Sequence, residues 1–198
     1  MDELYEQYRN LNLDGRWIGL ELAEGPSYFC TPVGAKVLGW DGGIHYCVVE
    51  GLGNTVFCVN PETCCDRYVY PIARDFREFL SLILAAGHTN PLQQIICWDK
   101  ETFEAFLRRP EERAQTARPE VQLVLNTIRQ KLGVAPAGDP FGAVKNLQSG
   151  FPYDQIPFSN EYYDMLGLPH PDGSEPAEPC FSFTPIEFRF EKKLRRVV

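Results

Sequence analysis

The chain has 198 residues, of which 44% are hydrophobic and 23% charged, so its composition is that of a folded globular protein and excludes a disordered one. The formal net charge of −8 opposes binding to nucleic acid or to an anionic membrane surface, and it favours a basic protein partner. The longest apolar stretch, residues 79–87, is far too short to span a bilayer, and residues 1–6 lack the features of a secretory signal. We therefore expect a cytoplasmic protein of one domain, or of one domain with a structured extension.

Alternation of apolar and polar residues in the first third of the chain predicts an antiparallel β-meander. Ile18, Leu20 and Leu22 recur at a period of two and would face the same side of a first strand. Glycine-rich turn signals at residues 41–43 and 51–54 separate the runs of β-forming residues that follow. The predicted strands are residues 17–22, 33–40, 44–49, 55–59 and 68–70, with Pro71 closing the last one.

The hydrophobic pattern then changes to the spacing of amphipathic helices. Asp75 and Glu78 stand three residues apart as in a capping box, and Gly87 is a natural residue to follow the end of that helix. A second helix has Asp99 as its cap and stops at Pro110. The predicted helices are residues 76–86, 100–109 and about 119–132.

These patterns predict an α+β fold in which an antiparallel β-meander sheet is flanked by helices. We divide the chain into an α+β domain over residues 1–110 and an extension over residues 111–198 that packs on it. The extension contains the helix at about 119–132, an acidic arm rich in Pro and Gly at 134–180, and a final strand at about 181–190. The arm carries too many aromatic residues for a free linker, so we expect it to be ordered although irregular.

The seven cysteines do not form a recognisable metal site. No Cys-x-x-Cys pair occurs, and Cys64 and Cys65 are adjacent, which is not the ligand spacing of a zinc knuckle. We expect the thiols to be small buried hydrophobic groups in a reducing compartment, with no metal and no cofactor. A hydrolase that uses Cys47 or Cys97 with a histidine stays an alternative, because His45 and Cys47 lie on one face of a strand.

Acidic residues stand at the predicted turns of the meander. Asp41, Glu50, Glu62 and Asp66 would steer a basic partner and fix its orientation more than they would add to affinity. Trp40, beside Asp41, is the predicted anchor of that contact, because buried aromatic residues carry much of the binding energy of an interface. Two plainer interpretations stay open, in which the acids are solvated loop ends and Trp40 is a core residue.

Three segments combine into a pattern that is typical of a known superfamily. They read LGWDGGIHYCVVEGLGNTVFCVNP at residues 38–61, YVYPIARDFREFLSLILAAG at 68–87 and WDKETFEAFL at 98–107. Their shared features are a Gly-rich turn into an apolar strand, an Asn-Pro strand end and an Asp-Phe-x-x-Phe-Leu helix. With these features roughly residues 15–110 resemble the SUKH superfamily, which groups fungal regulators of cell-wall synthesis with bacterial toxin-immunity proteins.

The resemblance implies an antiparallel sheet flanked by helices and a non-enzymatic role in binding other proteins. In bacterial members the implied partner is a toxin domain, often a nuclease, whose active surface is blocked. The family offers no catalytic residues to transfer, and we assign none. We therefore expect a SUKH-like protein-binding domain that acts as an immunity protein against a basic toxin. The alternative is a housekeeping adaptor or regulator linked to cell-wall synthesis.

Overall fold

The computed structural model describes residues 3–63 and 66–176 of the chain. The strands are β1 (Ala35–Asp41), β2 (Ile44–Val49), β3 (Val56–Val59) and β4 (Val69–Ala73). The helices are α1 (Glu3–Asn10), α2 (Phe76–Ala86), α3 (Asn90–Gln94), α4 (Lys100–Leu107), α5 (Pro110–Thr116), α6 (Pro119–Leu132), α7 (Pro140–Gly150) and α8 (Asn160–Leu166). The final strand predicted at 181–190 lies outside the described residues.

The four strands form one antiparallel sheet in the order β1-β2-β3-β4, which confirms the predicted α+β meander. Within the β1–β2 hairpin, Trp40 pairs with His45. The pairing register shifts between Val37 and Gly39, so Leu38 is an extra residue in β1. Such a β-bulge bends its strand and increases the local twist.

The prediction of a strand at residues 17–22 is wrong. The chain forms a 3₁₀ turn at Gly15–Ile18, and Gly19 follows with a left-handed φ of 70°, which interrupts any extended run. Within the described chain, one isolated bridge between Glu21 and Trp40 is what links this segment to the sheet. Ile18 and Leu20 are buried in the core at this turn, whereas Leu22 is 38% exposed, so the apolar alternation does not mark a strand here.

The prediction that Pro71 closes the last strand of the meander, at residues 68–70, is also wrong, because β4 continues through it to Ala73. Proline has no amide hydrogen to donate, so a sheet accepts it at an edge, where that donor is not needed. β4 is the last strand of the sheet, and α7 lies beside it, with the side-chain amide of Gln148 donating to the carbonyl of Pro71 at 3.3 Å. An edge strand covered by a helix therefore accommodates the proline.

The predicted starts of α2 and α4 are confirmed. The Asp75 carboxylate accepts a hydrogen bond from the backbone N–H of Glu78 at 2.7 Å. Asp99 accepts one from the N–H of Thr102 at 2.8 Å, which satisfies a donor that the first turn of α4 leaves unpaired. Gly133 follows α6 in the left-handed region, with a φ of 62°, as predicted for the residue after that helix.

The arm at 134–180 is more regular than its composition predicts, as far as residue 176, because α7 and α8 lie in it. Pro140 occupies the first turn of α7, where a missing N–H costs nothing. Asp139 caps the same helix by accepting from the N–H of Gly142 at 3.1 Å. The predicted boundary between residues 110 and 111 lies within α5.

Both faces of the sheet are buried. On the first face, Tyr46 packs against Phe79 of α2 with ring centroids 4.8 Å apart. On the second face, Cys47 and Phe57 pack in a separate cluster with Ile156 of the arm. Each cluster contains residues from both sides of position 110. Among the described helices, none has both the length and the apolar character that crossing a membrane requires.

Candidate functional site

The meander decides which of the predicted contact residues lie near one another. In an antiparallel sheet of consecutive strands, successive connections alternate between the two ends of the sheet. The β1–β2 turn after Asp41 therefore lies at the same end as the β3–β4 connection, which holds Glu62 and Asp66. Glu50, in the β2–β3 connection, lies at the opposite end. The predicted acidic surface is thus divided into two parts.

Three of the four predicted acids are free for a partner. Glu50, Glu62 and Asp66 are exposed, and none of them forms an ion pair with any residue that the structure describes. Isolated exposed carboxylates contribute little to stability. They do shape the electrostatic field that a basic partner meets as it approaches.

Asp41 has a structural role that its sequence position does not indicate. Its carboxylate accepts a hydrogen bond from the hydroxyl of Thr89 at 2.9 Å and another from the side-chain amide of Gln93 at 2.8 Å. Both donors are buried, and the same amide of Gln93 also contacts the hydroxyl of Tyr46. Asp41 thereby ties the hairpin turn to α3 and satisfies two buried donors.

Trp40 is 6% exposed, so in this structure the ring presents almost no surface to a partner. It packs against His45 with ring centroids 4.7 Å apart and against Tyr28 at 6.0 Å. The Cα of Gly25 also faces the indole ring, since a Cβ there would lie 2.3 Å from a ring carbon. The position is that of a core residue, as the plainer interpretation had it.

His45 is an unusual member of this aromatic cluster. It is 1% exposed, and neither ring nitrogen has a hydrogen-bond partner among the described residues. Burial lowers the pKa of the imidazole from 6.5 to about 4, because the cation would lose its hydration. The indole nitrogen of Trp40 is likewise without a partner in the part of the chain described.

The described thiols do not have the features of a nucleophile. Burial raises the pKa of Cys30 to about 11, of Cys58 to about 12 and of Cys47 far above its ordinary value. A reactive cysteine needs the opposite shift, because the thiolate is the attacking species. Cys97, the other candidate of the hydrolase alternative, is exposed and disulfide-bonded, so the expectation of a buried, reduced thiol is wrong at this position. Across residues 3–63 and 66–176, no group of three or more His, Cys, Asp or Glu side chains could hold a metal ion.

A feature that the sequence analysis missed lies along the outer edge of β1. Tyr5 of α1 donates its hydroxyl hydrogen to the carbonyl of Leu38 at 3.1 Å, and both residues line two cavities. Leu22 and Val37, each 38% exposed, line the larger one. The exposure of Leu22 and Val37, and the position of β1 at the edge of the sheet, both depend on the fold and could not be predicted from the sequence.

Comparison with known proteins leaves the fold and the site to be interpreted from the chain itself. No protein-family model, no curated protein and no solved structure matches this chain.

Proposed function

We propose that this protein binds a basic protein partner without catalysing a reaction, and that the partner is a toxin domain of the nuclease type. The exposed carboxylates of Glu62 and Asp66 at one end of the sheet, which form no ion pair with a described residue, are the main support. They belong to a chain of net charge −8, whose field accelerates association with a basic protein. The resemblance to SUKH immunity proteins supplies the class of partner.

The chemistry of the described interior supports a binding role over the hydrolase. Cys47 and His45 lie on the same face of β2, but no hydrogen bond joins them, and both are buried. The pKa of the Cys47 thiol is raised and that of His45 is lowered, both by burial. Neither group is thereby suited to act on a substrate at neutral pH.

The proposal is tested with purified basic nuclease toxin domains, inactivated at their catalytic residues and measured against this protein by biolayer interferometry. We expect at least one domain to bind and its active form to lose nuclease activity in the complex. The double variant Glu62→Lys/Asp66→Lys should slow association with that domain by about tenfold, since it reverses the charge at the sheet end.

The matched control is Glu111→Lys/Glu175→Lys, which makes the same change of charge at exposed positions outside the sheet connections. An equal loss in this control would show that net charge alone drives association and that the sheet end is not the contact. If no domain of the panel bound to the folded protein, the immunity proposal would fail, and the adaptor alternative would take its place.

A further inference from the structure

A short surface segment, residues 22–27, is held firmly at its two ends. At the first end, Glu21 forms an antiparallel bridge with Trp40 through two backbone hydrogen bonds of 2.8 Å. At the other end, the backbone N–H of Tyr28 donates to the hydroxyl of Thr31 at 2.9 Å, and the N–H of Thr31 donates to the carbonyl of Tyr28 at 2.9 Å. Both ends of the segment are therefore fixed to the fold.

Between these ends the segment has few contacts. All six residues are exposed, and residues 24–27 form no hydrogen bond with any residue that the structure describes. The N–H of Ala23 donates to the carbonyl of Glu21 at 3.1 Å, which is a contact within the same stretch of chain. Residues 22–24 also line a cavity of about 410 Å³, so this part of the segment has open space beside it. Exposed backbone with few contacts is typical of a region that opens before the rest of a protein unfolds.

The segment lies directly against the indole ring of Trp40. A Cβ on Gly25 would lie no more than 2.6 Å from three carbon atoms of that ring, so only glycine lets the backbone approach so closely. One of these three atoms is Cε2, the carbon that is bonded to the indole nitrogen. Gly25 therefore covers the ring on the side of its nitrogen, and Trp40 is only 6% exposed.

The closed arrangement leaves polar atoms unpaired. The indole nitrogen of Trp40 is buried without a hydrogen-bond partner among the described residues, and so are both ring nitrogens of His45, whose ring centroid lies 4.7 Å away. A buried N–H without an acceptor destabilises the state that buries it, whereas water would supply an acceptor if the segment moved away. The contact with Gly25 favours the closed form and the unpaired donor favours the open form. These opposing contributions bring the two forms closer in free energy.

We propose that residues 22–27 form a flap, with its ends fixed at Glu21 and Tyr28, that opens over Trp40 while the rest of the fold stays intact. The open form exposes the indole ring and its N–H to solvent. The flap therefore decides whether Trp40, the contact residue predicted from the sequence, is available to a partner. Opening needs no partner, so it is independent of the proposed function.

Hydrogen exchange of the indole N–H, followed by NMR on the full chain at low concentrations of urea, separates local opening from global unfolding. Exchange through a local opening is nearly insensitive to urea because little surface is exposed, whereas exchange through global unfolding accelerates. We expect the Trp40 indole N–H to exchange by the local route, about a hundredfold faster than the amides of the central strand β3. Trp40→Phe assigns the indole signal by its loss.

Gly25→Ala should open the flap, because its Cβ would overlap the indole ring. It should accelerate exchange of the Trp40 indole N–H by about tenfold, as the open population rises. The matched control is Gly138→Ala, at an exposed glycine without a left-handed φ, where a Cβ would meet no atom within 4 Å. It should leave the exchange rate unchanged. In both variants the β3 amides report whether the sheet is intact.

Two results would overturn the proposal. If urea accelerated exchange of the Trp40 indole N–H in parallel with that of the β3 amides, only global unfolding would uncover the ring. If Gly25→Ala kept an intact sheet and changed the exchange rate no more than Gly138→Ala does, Gly25 would not be what covers the indole nitrogen. The urea measurement uses the unchanged protein, so it decides between local and global opening even where a variant is unstable.

Discussion

His45 shows how a single buried residue makes the stability of this protein depend on pH. The imidazole lies among the rings of Trp40 and Tyr28 with no described hydrogen-bond partner, so only its neutral form is compatible with the site. Its pKa is about 4 in the folded protein against 6.5 ordinarily. The unfolded chain therefore takes up a proton at a higher pH than the folded one does.

Because the folded-state pKa of His45 is the lower one, its contribution to stability is fully present above pH 6.5 and is lost as the pH falls from there toward about 4. His45→Phe keeps an aromatic ring and removes the titration, so it should flatten the pH dependence in this window. Trp40→Phe should retain the slope, since the indole does not titrate. Urea unfolding at several pH values from 7 to 4.5 measures this, and parallel curves for wild type and His45→Phe would contradict it.

At the scale of elements, the contact between the β1–β2 turn and α3 depends on one carboxylate. Asp41 accepts hydrogen bonds from Thr89 and Gln93, which are 0% and 3% exposed. Without this carboxylate one amide hydrogen of Gln93 is left unpaired, which costs more than the net value of a hydrogen bond, whereas Thr89 can still donate to the carbonyl of Gly19 at 3.2 Å. Asp41 is thus one of four acids at turns of the meander in the sequence, but its carboxylate accepts hydrogen bonds from two buried side chains in the structure.

We expect Asp41→Ala to lower the free energy of unfolding by about 1–3 kcal/mol, because one amide hydrogen of the buried Gln93 loses its acceptor. Asp41→Asn, which keeps one acceptor oxygen, should lower the free energy of unfolding by less than Asp41→Ala does. Glu62→Ala, at an exposed position of the same sheet end, should change stability by less than about 0.5 kcal/mol. Chemical denaturation of the three variants decides whether Asp41 or Glu62 is the structural residue.

How much of the fold can be predicted from the sequence depends on whether the signal is local. The start of α2 could be predicted because Asp75 and Glu78 are three residues apart and interact directly. The wrong prediction of a strand at 17–22 shows that a local pattern can also mislead, since apolar alternation arises in a buried 3₁₀ turn as well. Whether Trp40 is exposed or buried depends on Tyr28 and Gly25, which are distant in sequence and contact the indole ring only in the folded chain.

The candidate site was partly predictable for the same reason. Acidic residues at turns are visible in the sequence, and Glu50, Glu62 and Asp66 are indeed exposed. Their division between two ends of the sheet follows from the meander, once its strands are counted. The position of β1 at the edge of the sheet depends on the pairing order of the strands, which contacts between residues distant in sequence determine.

At the scale of the whole molecule, the arm is part of the core and not an appendage. Ile156 is 5% exposed and belongs to the cluster on the second face of the sheet, together with Phe57 and Cys30. The backbone N–H of Val33 donates to the carbonyl of Pro157 at 2.8 Å, so the arm also contacts the segment that leads into β1. Stability is therefore shared between distant parts of the chain.

Ile156→Ala should lower the free energy of unfolding by about 2–5 kcal/mol, because it leaves a cavity in the second-face cluster. Met165→Ala, at a residue of α8 that is 59% exposed, should change it by less than about 0.5 kcal/mol. Guanidinium unfolding followed by tryptophan fluorescence measures both. A small effect at Ile156 would mean that the arm can leave the sheet at little cost.

The covering of the second face by the arm has a consequence for biosynthesis. The last residue of β4 is Ala73, whereas Ile156 is made much later. At roughly 5–20 residues per second, a ribosome needs roughly 4–16 seconds to make the intervening chain. During that interval the nascent sheet carries Phe57 and Val59 on a face that its own arm has yet to cover. Chaperones that bind exposed apolar surface would bind this protein on the ribosome, and the protein would no longer need them once the arm has emerged.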